Sequence, residues 1–201
     1  MIVLAFLYAA LMGLAALLGW RHRAKPGVRW FLLFLGLDAL SNGVAYLSWA
    51  FRRPNQWVAN LGTLVIAATL IPALAEVSIP AAGRLFRLVA VLLVVAGAGA
   101  FLLKSLGATD DLVYPMVCLA VVAASGAVLW RLILDPIPLW SRMPFWWVVG
   151  ALFAFGVDLL PWVLSEEVAK ASLQLHRVLW TTRNAAWTLA SLCFCFSWTQ
   201  A

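Results

Sequence analysis

FWWVVGALFAFGVDLLPWVL, residues 145–164, is apolar from end to end except for one carboxylate, Asp158. A helix of this length rises about 30 Å, the thickness of a bilayer's hydrocarbon core. Such a stretch is either a membrane span or a deeply buried core helix, and the rest of the chain decides between them. Of the 201 residues, 65% are hydrophobic and 11% are charged, whereas a soluble domain carries about 45–50% and about 25%. Mean hydropathy is +0.98. There is too little polar surface to coat a soluble globule, so the chain reads as an integral membrane protein.

Outward from 145–164, similar windows recur at 2–20, 30–50, 57–77, 85–103, 112–134 and 178–198. The expectation is therefore an all-α, seven-transmembrane-helix bundle forming one domain over 1–201. The connectors RHRAKPGVR, FRRPNQ, SIPAAGR, KSLGATDD, DPIPLWSRMP and SEEVAKASLQLHR leave no room for a soluble domain. The 2–20 stretch lacks a basic leader, and a basic loop follows it instead of a small-residue cleavage site. It therefore reads as a retained first span and not a signal peptide.

Basic residues set the expected orientation. Arg21, Arg23, Lys25, Arg29, Arg84, Arg87, Arg131 and Arg142 flank the odd-numbered connectors, while Asp110, Asp111, Glu166 and Glu167 dilute the charge on the other side. Only Arg52 and Arg53 run against this pattern. By the positive-inside rule the chain is N-out and C-in, a multi-pass protein of the bacterial cytoplasmic (inner) membrane. The net charge of +6 then serves topology and gives no reason to expect nucleic acid.

Several residues read as architecture. Pro72, Pro115 and Pro161 fall within or near spans, where they can kink a helix. Trp30, Trp49, Trp57, Trp140, Trp162 and Trp198 stand at span ends, as interfacial anchors do. Gly36, Gly43, Gly62, Gly150 and Gly156 allow helices to approach closely. Ser165 is placed to cap a helical turn holding a Glu166 and Lys170 pair in the last outer connector. Cys118, Cys193 and Cys195 are packing residues, since positions two apart on a helix point in nearly opposite directions. Glu76, at the cytoplasmic end of its span, can reach Arg84 or Arg87.

Depth along each span follows from the rise of 1.5 Å per residue. Asp38 falls about 12 Å, Asn42 about 18 Å and Tyr46 about 24 Å from the cytoplasmic edge, on one helix face. Asp158 falls about 20 Å from that edge, and Asn60, Thr63, Arg183 and Asn184 lie about 5–9 Å below the outer surface. A charged side chain at a span's centre costs about 2.5–3.5 kcal/mol on insertion scales. Asp158 therefore needs a partner, and Arg183 lies at a similar depth on the next span. We expect an Asp158–Arg183 ion pair, with Asn184, Asn42 and Tyr46 completing the hydrogen bonds. Asp38 is expected to be a hydrogen-bonded acid beside Asn42. This polar set either glues the helices or lines a pocket, and both readings stand at this point.

Much chemistry is excluded. His22 and His176 fall on opposite sides of the membrane, and no phosphate loop, HExxH, GxSxG or CxxC is present. The seventh span carries no lysine for a retinal Schiff base. No metal or cofactor is called for.

WFLLFLGLDALSNGVAYLSWAFRRPNQWVANLGTL (30–64), MPFWWVVGALFAFGVDLLPWVL (143–164) and LHRVLWTTRNAAWTLASL (175–192) together resemble an uncharacterised group of small seven-span bacterial membrane proteins. That group shares a polar second span, an Asn-x-Trp start to the third and an asparagine in the last. The resemblance covers most of the chain, implies the seven-span fold and brings no activity. The membrane regions of some sensor histidine kinases look broadly similar, which implies output through a separate signalling partner. GALFAFGVDLLPWV (150–163) and TTRNAAWTL (181–189) are also similar to the lysoplasmalogenase family of membrane hydrolases, which implies a catalytic acid at Asp158; an enzyme would further require Asp38 to converge with it on one cavity. Here Gly156 and Val157 stand before the aspartate where that family usually has serine.

The expected function is a non-enzymatic membrane module that senses or binds a small molecule or lipid, or serves as a membrane subunit of a larger assembly. The binding residues would be Asn42, Tyr46, Asn60, Thr63, Asp158, Arg183 and Asn184. The alternative is a lysoplasmalogenase-like hydrolase.

Overall fold

The computed structural model of the chain describes residues 2–51, 56–104 and 112–201. Among these there are seven α-helices, three single 3-10 turns and no strand. The helices are α1 (Ile2–Gly19), α2 (Val28–Ala50), α3 (Gln56–Val77), α4 (Pro80–Lys104), α5 (Val113–Ile133), α6 (Met143–Ala171) and α7 (Leu173–Ser197). Five of them, α2 through α6, are long and apolar enough to cross a membrane. Arg52, Arg53, Asp110 and Asp111 lie outside the described residues, as do the side chains of Trp49, Trp162, Ser165, Glu166 and Glu167.

Each helix packs against the next in sequence, and α1 packs against α7 to close the ring. α3 also packs across to α5, which leaves α4 on the outside of that pair. The most extensive interface joins α6 to α7. α3 is the most enclosed span and α4 the least, and the core runs through Phe31, Phe34, Leu70, Leu74, Trp147, Phe155 and Phe194, all fully buried.

The ends of the helices are tied by polar contacts that apolar periodicity does not predict. Gly27 stands at φ +75° just before α2, a conformation that L side chains rarely adopt. Its N–H donates to Glu76 Oε2 at 2.6 Å, and the Trp30 indole donates to Glu76 Oε1 at 3.0 Å. Glu76 thus fastens the start of α2 to the end of α3 instead of reaching for Arg84 or Arg87. The last carbonyls of α3, unpaired within the helix, are taken up by Arg131, whose Nη1 donates to Val77 O at 2.8 Å and to Ser78 O at 3.1 Å.

Three readings of the sequence need correction here. Ser165 does not cap a separate helical turn: α6 runs unbroken through Pro161 to Ala171, because the charged residues that end its apolar run are themselves good helix formers. The break falls at Ser172 alone, extended at φ −161°, and its side chain accepts from Leu175 N at 3.3 Å as the cap of α7. Trp198 is no interfacial anchor. It is 3% exposed and packs against Trp147 and Phe31. Of the five glycines, Gly150 does permit a close approach, since a Cβ there would lie 2.9 Å from Phe194 Cδ1 and 3.0 Å from Ala190 O. At Gly36, Gly43, Gly62 and Gly156 a Cβ would meet nothing within 4 Å.

Candidate intramembrane site

Asp158 sits on the inward face of α6 and is completely buried. Its Oδ1 forms an ion pair with Arg183 Nε from α7. Arg183 Nη2 also donates to Oδ2 at 3.3 Å, and the Trp187 indole donates to the same oxygen at 3.0 Å. The Tyr114 hydroxyl, from the first turn of α5, donates to Oδ2 as well. Three helices therefore converge on one carboxylate. Hydrogen bonds to charged groups are worth about 1.5–3 kcal/mol each, so this shell offsets an insertion cost of about 2.5–3.5 kcal/mol. Arg183 is fixed in turn by the Trp180 ring, 5.3 Å beneath its guanidinium.

Asp38, 5% exposed on α2, has its own smaller shell. The Tyr8 hydroxyl from α1 donates to Oδ2. Asn42 Nδ2 lies 3.1 Å from that carboxylate oxygen, 2.8 Å from the Asp38 carbonyl and 3.0 Å from Tyr8 Oη. The expected neighbour, Asn42 one turn on from Asp38, is in place.

Trp187 joins the two shells. While its N–H serves Asp158, its ring packs 5.2 Å from the Tyr8 ring and 5.0 Å from Phe155. Asp158 and Arg183 also lie within Coulombic range of Asp38. Asn42, Tyr46, Arg183 and Asn184 are half-buried. The Arg183 side chain keeps 24% of its surface open while Asp158 keeps none.

The structure brings Asp158 and Arg183 together as the depth argument required, but it redistributes the other donors. Asn42 serves Asp38, and Tyr46 stacks on Phe6 with ring centroids 5.2 Å apart. Asn184 follows Arg183 directly, so it points about 100° away on a helix of 3.6 residues per turn. Its carbonyl accepts from Thr188 Oγ1 at 2.8 Å. Thr63 is buried on α3 and donates to Ala59 O of its own helix at 3.2 Å, and Asn60 is buried on the same helix.

Sequence reasoning passed over Tyr8, Tyr114 and Trp187, which stand in apolar runs and look like core. One signal was available. The chain has only three tyrosines against twelve tryptophans and eleven phenylalanines, and two of the three phenols serve the two buried aspartates. Trp187 is also one helical turn from Arg183, hence on its face.

Among the described residues no group of His, Cys, Asp and Glu could hold a metal ion. The arrangement is a carboxylate with donors on both oxygens beside a partly exposed guanidinium, suited to fixing α5 and α7 to α6. No family model, curated protein or solved structure matches the chain, so the two resemblances carried by its motifs gain no support from a relative.

Proposed function

We propose that the chain is a seven-span bundle of a bacterial inner membrane, N-out and C-in, whose Asp158–Arg183 network forms the floor of a binding site. It would hold a small polar or amphiphilic molecule at a rim of Asn42, Tyr46 and Arg183, without catalysing a reaction on it. A sensory role, or a place in a larger membrane assembly, would pass that binding to a separate chain.

The observation that carries this reading is the saturation of Asp158. A general acid must reach the atom it protonates within hydrogen-bond distance, and both oxygens of Asp158 already face donors from Arg183, Tyr114 and Trp187. Apolar residues exposed along the remaining helices support membrane passage for α1 and α7 as well: Leu14, Leu17 and Leu18 on α1, and Val178, Leu189 and Leu192 on α7. An arginine inside α7 is then tolerable because it faces Asp158 instead of lipid.

Native mass spectrometry of the purified chain in nanodiscs tests the proposal. A small molecule or lipid retained by the wild type and lost in Tyr46→Phe and Asn42→Ala is expected, with vinyl ether lysophospholipid left intact. Hydrolysis of that lipid, abolished by Asp158→Asn, would instead establish the hydrolase.

A further inference from the structure

At the opposite end of the bundle from Arg183, the C-terminal ends of α3 and α5 and the first turns of α4 line an open cleft of about 610 Å³. Its lining includes Arg84, Arg87, Arg131 and Glu76. That volume is within the range of small-molecule sites, about 300–1,000 Å³. Three guanidinium groups therefore face one carboxylate, and both oxygens of that carboxylate are already engaged by Gly27 N–H and the Trp30 indole.

The three arginines are not equivalent. Arg131 is held in place by the Val77 and Ser78 carbonyls through Nη1 alone, which leaves its Nη2 and Nε donors to other partners. Arg84 and Arg87 stand three apart on α4, hence on neighbouring positions of one face. Both are exposed, and no hydrogen bond or ion pair engages either among the described residues. Two unengaged guanidinium groups and one pre-oriented one around a cleft of this size make a site for a phosphate group, because guanidinium matches phosphate oxygens with paired donors.

What adjoins the cleft identifies the source of the phosphate. α3, α4 and α5 are all long and apolar enough to cross a membrane, so a cleft at their ends lies at the bilayer surface. Directly beyond Arg84 and Arg87, α4 exposes Leu88, Val91, Leu92 and Val95, a continuous apolar track. We propose that this cleft binds the phosphodiester headgroup of an anionic phospholipid, with its acyl chain laid along the outer face of α4. Basic clefts between spans are suited to such headgroups. The proposal does not depend on the Asp158 network, and failure of either leaves the other standing.

The test uses the full chain in nanodiscs of phosphatidylcholine doped with phosphatidylglycerol, with bound lipid counted by native mass spectrometry. Selective retention of phosphatidylglycerol is expected. Loss of two guanidinium contacts to the phosphate, each a hydrogen bond to a charged group, should make Arg84→Gln with Arg87→Gln weaken that retention about 100-fold. Both residues are exposed, and circular dichroism checks that the variant keeps its helices. Arg21→Gln with Lys25→Gln removes the same charge from the α1–α2 connector at the same end and should leave retention nearly unchanged.

Failure of the wild type to select phosphatidylglycerol would overturn the proposal. So would an equal loss in both double variants, which would show a response to surface charge as a whole. Competition by millimolar inorganic phosphate as effective as the lipid would overturn the assignment to a lipid headgroup.

Discussion

Gly150→Ala asks whether α6 and α7 meet as closely as described. The new methyl group would stand 2.9 Å from Phe194 Cδ1 and 3.0 Å from the Ala190 carbonyl oxygen. Neither neighbour can yield easily. Phe194 is fully buried and packs edge-on against Phe31 at 5.2 Å, while Phe31 stacks on Trp147 at 4.2 Å. Ala190 O belongs to the backbone of α7. Overpacking of this kind costs about 1–3 kcal/mol, and a chain of this length loses about 2–4 °C of melting midpoint per kcal/mol. Because any glycine-to-alanine change in a helix also gains up to about 1 kcal/mol, thermal unfolding in detergent, followed by circular dichroism, should place Gly150→Ala about 2–12 °C below Gly156→Ala.

Gly156→Ala, six positions along the same helix, is the matched control. Nothing lies within 4 Å of its Cβ position, and alanine is the better helix former by about 1 kcal/mol. Its midpoint should stay level or rise. Equal midpoints for Gly150→Ala and Gly156→Ala would refute the α6–α7 approach. An equal loss at Gly156 would show that the effect comes from the helix backbone and not from the contact.

Other consequences follow from the same geometry. Tyr114→Phe and Tyr8→Phe each remove one hydroxyl from a buried aspartate and keep the ring, so each should cost about 1.5–3 kcal/mol in denaturant titration; a cost near zero in both would mean that the phenols are only packing. In the α5–α6 connector, the Arg142 guanidinium, 2.6 Å from Asp135, holds that carboxyl below the usual aspartate range. A lowered folded-state value contributes stability above the unfolded pKa of about 3.9 and loses it as pH falls through the folded value. Carbon-detected NMR titration should find Asp135 titrating below about 3.9, and Arg142→Gln should move it up toward the ordinary value, the Ile137 N–H still donating to it; an unchanged titration would remove the pair.

The fold and the candidate site were legible in the sequence to different degrees. Apolar windows located all seven helices, because length and composition report whether a segment can leave water. They misplaced the α6–α7 joint, because helix propensity outlasts hydrophobicity beyond Leu164 and only Ser172 interrupts the backbone.

The Asp158–Arg183 contact followed from depth and charge cost, two quantities the sequence carries directly. The donors around it did not follow, since Tyr114 comes from α5 and only the packing of three helices brings its hydroxyl to α6. Asn184 was expected beside Arg183 because depth alone was considered, and the angular step between consecutive residues was left out. Glu76 was sent toward Arg84 by charge, whereas Gly27 N–H lies nearer and needs an acceptor.

The central claim, that a carboxylate and a guanidinium hold α6 to α7 inside the bundle, is most directly tested by a double-mutant cycle on Asp158→Asn and Arg183→Gln. Stability would be read from reversible unfolding of the protein in bicelles. Removing one partner of a buried pair costs about 3–5 kcal/mol, because the other charge is left uncompensated. Each single variant should lose that much, and the double variant should lose clearly less than their sum, with a coupling energy of about 1–3 kcal/mol. Additive losses, or an Arg183→Gln variant as stable as the wild type, would contradict the account.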